Sequence, residues 1–142
     1  MNSPCGVSPI GIKAGVRVPA TMQQDVVQRA AVLREALEQR GMLDEDRERH
    51  WLYLMVWPSY TRSSWYVGET KQHPSRRKGW NPHVESMLKR FVTERYYFPV
   101  KCAEAEGVAY DAMRDYRKRR KHRAVSLNYV ACVKGRSKYT LD

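Results

Sequence analysis

Seven consecutive residues, Trp51-Leu52-Tyr53-Leu54-Met55-Val56-Trp57, constrain this chain more than any other stretch. Apart from one phenol they are apolar. They are far short of the about 18 residues that cross a bilayer, and they lack the polar face of a surface helix. A run of this length, rich in aromatic rings and stopped by Pro58, reads as a strand covered on both faces. Polar residues 59–64 then turn the chain into a second short strand, Trp65-Tyr66-Val67, closed by Gly68.

The segments around these strands supply the covering layers. Residues 1–20 carry Gly, Pro and Ser at short intervals and read as a loose arm. Residues 21–49 form a helical extension: Thr21 offers an N-cap with Gln24 as its capping-box partner, and Gly41 suits the stop. Within it Val26, Ala30, Leu33 and Leu37 make an apolar stripe. That stripe packs on the rest of the domain or joins two chains as a homodimer through residues 21–41. Pro74 starts a short basic helix ending at Gly79, and Asn81-Pro82 caps another helix whose Val84, Met87, Leu88 and Phe91 are to be buried. Tyr96, Tyr97, Phe98, Val100 and Cys102 suggest a third strand, at an edge because of Pro99. A long helix from about Ala103 to Lys121 carries Val108, Ala109, Ala112, Met113 and Tyr116. Residues 124–133 close the domain and 134–142 form a basic tail.

The fold class is therefore α/β of the α+β kind: a small three-stranded antiparallel sheet flanked by helices, spanning residues 50–133, with an N-terminal helical extension. At 142 residues, one domain with one modest core is expected.

The net charge of +11 is concentrated in one part of the chain. Residues 1–50 hold seven basic and seven acidic residues; residues 51–142 hold nineteen and eight. A segment this basic attracts polyanions, of which nucleic acid is the commonest. Cys5, Cys102 and Cys132 are odd in number and widely spaced, and suit neither a disulfide framework nor a zinc knuckle. His50, His73, His83 and His122 lack ligand spacing and read as surface residues. With no secretory signal or apolar span in the sequence, an intracellular, cytoplasmic protein without a membrane partner is expected.

The tripeptides Trp51-Leu52-Tyr53 and Tyr66-Val67-Gly68, with Arg76 ten residues after Tyr66, resemble the GIY-YIG nuclease family. In that family two such tripeptides lie on neighbouring strands and an arginine follows on a helix. The likeness covers residues 50 to 130, with Trp51 in place of the first glycine. It implies an endonuclease that hydrolyses phosphodiester bonds with one divalent metal, magnesium or manganese. Tyr53 would be the general base, Tyr66 would position the water or phosphate, and Arg76 would stabilise the phosphate. The metal carboxylate falls on Glu106, with Glu104 and Asp111 as competitors, and Asn128 matches the family's asparagine. A free phenol titrates near 10, so a base role for Tyr53 requires a nearby cation.

Lys71, Arg77 and Lys78, with the run Arg117, Lys118, Arg119, Arg120 and Lys121, are the expected contacts to nucleic acid, DNA ahead of RNA. Trp80 reads as a buried ring, and Glu69 stands where relatives carry lysine or a small residue. The other class of function is a non-catalytic nucleic-acid-binding module on the same scaffold, as in an RNA–protein particle.

Overall fold

The computed structural model describes residues 11–44, 46, 49–60 and 63–119, with side chains as far as Tyr116. Its centre is an antiparallel sheet of β1 (His50–Trp57), β2 (Ser64–Thr70) and β3 (Glu94–Val100), in the order β2-β1-β3. The apolar run occupies the middle strand. Pairing on both edges satisfies its backbone, and its side chains alternate between two covered faces.

Leu52, Leu54 and Val56 point to one face, where Trp65, Val67, Phe98 and Val100 join them. Helices α1 (Ala20–Gln39) and α3 (Ala105–Arg119) cover that face. The stripe Val26, Ala30, Leu33 and Leu37 is buried against Ala109, Tyr110, Met113 and Tyr116, so the extension belongs to the domain core. A homodimer through that stripe would have to unpack it. A polar lock joins the two helices: the Tyr116 hydroxyl donates to Asp25 (2.8 Å), Arg29 Nε donates to the same carboxylate (3.3 Å), and the Arg29 guanidinium lies 4.7 Å over the Tyr116 ring.

Tyr53, Met55 and Trp57 point to the other face, covered by α2 (Pro82–Arg90) through Val84 and Met87, with Phe91 at its end. Asn81 caps α2 by accepting from the Val84 N–H (2.9 Å), and Pro82 occupies the first turn, where its missing N–H costs no bond.

Several boundaries differ from expectation. The described part of the N-terminal arm is packed: Ile12 is fully buried with Val18 and Met22, and the Val92 N–H donates to Ile12 O (2.8 Å). Helix α1 begins at Ala20, after Pro19, and no side chain caps it, so Thr21 lies inside the first turn. The expected basic helix shortens to a single 3-10 turn, Pro74–Arg76. Strand β3 starts two residues earlier than expected, and its outer edge is extended by Leu43, which bridges Val100. Residues 120–142, with Arg120, Lys121 and Asn128, lie outside the described residues.

Candidate active site

Register places Tyr53 of β1 between Gly68 of β2 and Tyr97 of β3. Its ring lies across Gly68: a Cβ built there would come within 2.9 Å of Tyr53 Cε1, and closer still to Cζ and the hydroxyl oxygen. Gly68 is thus required for space. Among the described residues the glycines with positive φ are Gly15 and Gly41, elsewhere in the chain. Tyr66 precedes Gly68 by two residues and so shares its face, with its ring centroid 6.0 Å from that of Tyr53. Both phenols are buried.

The chain after the 3-10 turn closes over this pair. Arg77 donates from Nη1 to the Tyr53 hydroxyl (3.2 Å) and from Nε to Gly79 O (2.9 Å). Its guanidinium lies 4.2 Å over the Trp80 ring, and that ring meets Tyr53 edge-on at 5.0 Å. Glu85 of α2 holds the segment in turn by accepting from the Trp80 N–H (3.3 Å). The result is a guanidinium clamped over the Trp80 ring and bonded to the Tyr53 phenol, a natural seat for an anion.

Burial pushes the Tyr53 phenol well above its ordinary range. The charge that would develop on Tyr66 and a hydrogen bond to it add to the rise, and Arg77 pulls the other way without prevailing. Tyr53 is therefore a neutral phenol at pH 7, and a base role requires positive charge beyond that of Arg77.

Arg76, the arginine singled out by spacing, occupies a neighbouring place. It is exposed, and with Trp51, Lys71, Gln72, His73 and Ser75 it lines a cleft of about 520 Å³. Trp51 shares the face of Tyr53 two residues earlier on β1. His73, read from sequence as a surface residue, is half-buried: its ring lies 4.3 Å from Trp51 and 5.3 Å from Tyr97, and its Nδ1 is 2.7 Å from Ser75 Oγ. Lys71 and Lys78 are exposed on the same basic segment.

The acidic residues are arranged differently. Glu106 stands half-buried on the first turn of α3, a helix packed on the Leu52 face, opposite Tyr53. Glu69 and His50 share that opposite side by strand alternation and pair at 2.8 Å. Hydrogen bonding from the Cys102 thiol holds the Glu104 carboxyl below the usual range, with its own backbone N–H and nearby His50 adding to the effect. Asp111 pairs with Arg114 (3.3 Å) and lines a groove between α1 and α3. Among the described residues no three of His, Cys, Asp or Glu converge as a metal site. The donors around Tyr53 are phenols and a guanidinium, a set that does not suit a hard divalent cation, which prefers carboxylates and water. The site among the described residues does not fit the expected magnesium.

Of the residues singled out from sequence, the structure brings together Tyr53, Tyr66 and Arg77 of the basic segment. Sequence reasoning missed the pairing of Arg77 with Tyr53, the contribution of Glu85, and the cleft formed by Trp51 and His73. Adjacent arginines carry no sequence signal for which one turns inward, and Trp51 and His73 meet only through the sheet.

Comparison with family models, curated proteins and solved structures gives no match. Among the described residues no helix is long and apolar enough to cross a membrane.

Proposed function

We propose that this protein is a DNA endonuclease of the GIY-YIG type, hydrolysing phosphodiester bonds at the Tyr53–Tyr66 pair. The observation that carries the reading is the stack of the Tyr53 ring on Gly68, with Tyr66 beside it and Arg77 on its hydroxyl. Hydrolysis of a phosphodiester needs donors for the non-bridging oxygens and a group that takes a proton from water. Arg77, and Arg76 from the neighbouring cleft, are the cations for the first task. Tyr53 takes the proton once positive charge beyond that of Arg77 offsets its burial and ionises the phenol, with Tyr66 orienting the water or phosphate. The sequence resemblance also implies Glu106 as a magnesium or manganese carboxylate, but Glu106 stands on the helix that covers the Leu52 face, opposite Tyr53, so the reading rests on the tyrosines and arginines and not on a metal at that residue. The basic excess of residues 51–142 favours nucleic acid as the partner and disfavours a free small phosphate.

The second reading, a non-catalytic nucleic-acid-binding module, is favoured by one observation: the raised Tyr53 pKa leaves the proposed base neutral. End-labelled duplex and single-stranded DNA and RNA, incubated with magnesium, manganese or chelator, separate the two. Metal-dependent internal cuts support the nuclease. Retention of nucleic acid with no cuts in any metal supports the binder.

A further inference from the structure

Trp51 departs from the six strand residues that follow it. From Leu52 to Trp57 every β1 side chain is buried, whereas Trp51 is half-exposed and its free surface lines the cleft beside the tyrosines. The ring is braced: His73 contacts it edge-on at 4.3 Å, and His73 is held by Tyr97 on one side and by Ser75, whose N–H reaches its Nδ1 at 3.1 Å. Two exposed cations, Lys71 and Arg76, line the same cleft, with Gln72 between Lys71 and the turn in sequence.

An aromatic wall, two cations and an amide around about 520 Å³ suit one chemical class, a planar heterocycle that carries a phosphate. We infer that this cleft is a nucleotide subsite, in which an unpaired base stacks on Trp51 while its phosphate meets Lys71 and Arg76. The inference rests on the phosphodiester reading of the tyrosine site and gives that site a substrate class. Trp51 and Tyr53 stand two residues apart on one face of β1, roughly 7 Å along the strand, so the stacked nucleotide neighbours the one held at the tyrosines. A base inside a duplex has both faces covered by its neighbours and cannot reach Trp51 without leaving the stack. The preferred substrate therefore carries an unpaired nucleotide next to the held phosphate: a single strand, a flap or a loop.

Fluorescence anisotropy in chelator measures this without cleavage, using a dye-labelled single strand and the duplex of the same sequence. Trp51→Ala should weaken single-strand binding on the order of ten-fold, the loss of one stacked base, and leave duplex binding within about two-fold. Trp51→Phe, which keeps a stacking face, should retain most of the single-strand affinity. On the unaltered protein, an abasic residue scanned along the strand should cost a similar factor at one position, and the same scan on Trp51→Ala should cost nothing further there. Equal losses on single strand and duplex, or an abasic scan that is flat on the unaltered protein, overturn the subsite. Cleavage in magnesium is scored separately: cutting with a flat abasic scan rejects the subsite and leaves the nuclease standing. A Trp51-dependent abasic signal without cutting rejects the nuclease and keeps the subsite.

Discussion

The ring of Tyr53 occupies the space that a side chain on Gly68 would need. The two residues are register partners on β1 and β2, so Gly68 cannot gain a side chain while the Tyr53 ring is in place. Gly68→Ala should destabilise the fold by about 1–3 kcal/mol through overpacking. In a Tyr53→Ala background the same change should be neutral or mildly stabilising, because alanine is favoured over glycine in a strand by roughly 0.5–1 kcal/mol. Tyr53→Phe should give no such relief, since Cζ and Cε1 of the ring meet the added methyl as the hydroxyl does. Urea unfolding of the four-variant cycle measures the coupling.

The raised Tyr53 pKa gives stability a pH dependence of defined sign. The folded protein holds the phenolic proton more tightly than the unfolded chain, whose tyrosine titrates near 10. The contribution is fully present below about pH 10 and is lost as pH rises towards the folded-state pKa, because the unfolded state ionises first. Urea midpoints compared between pH 8 and pH 11 should fall in the wild type, and the fall should be smaller in Tyr53→Phe.

Arg76 and Arg77 are neighbours with different surroundings, and their alanine variants should differ in kind. Arg77→Ala removes the bond to the Tyr53 hydroxyl and the cation over Trp80, so it should raise the Tyr53 pKa further and change tryptophan emission. Arg76→Ala leaves those interactions in place. It should weaken nucleic-acid binding and reduce the magnitude of the salt slope by about 0.9 on duplex DNA, the change expected when one phosphate is no longer neutralised. Alkaline tyrosine titration and salt-dependent anisotropy distinguish the two variants.

The α1 stripe was read from its spacing, but its partner was not. Leu33 and Leu37 are fully buried against α3 and the sheet, so replacing both by lysine should unfold the domain and not release a soluble monomer. Leu33→Ala alone should cost about 2–5 kcal/mol, read from denaturant unfolding.

The sheet was legible because an apolar run such as residues 51–57 has few ways to be buried. Helix α2 was legible because Asn81-Pro82 is a local signal. The long-range features were not. Spacing placed an arginine ten residues after Tyr66, yet a 3-10 turn replaces the expected helix there and the side chain of Arg77, one residue later, reaches the Tyr53 hydroxyl. The packing of Ile12 against Val92 and the bracing of Trp51 by His73 depend on residues 80 and 22 positions apart, beyond any periodicity. Glu106 was placed by the family resemblance and the apolar positions that follow it, neither of which says which face of the sheet a helix covers.

The central claim is that the Tyr53 hydroxyl takes part in phosphodiester hydrolysis. Single-turnover cleavage of a labelled strand, with protein in excess and magnesium present, tests it most directly when wild type is set beside Tyr53→Phe. The phenylalanine keeps the ring over Gly68 and removes only the oxygen, so binding should be unchanged while the cleavage rate falls on the order of a hundred-fold or more, as loss of a general base does. Cleavage by Tyr53→Phe at the wild-type rate, or none by the wild type itself, would contradict the account.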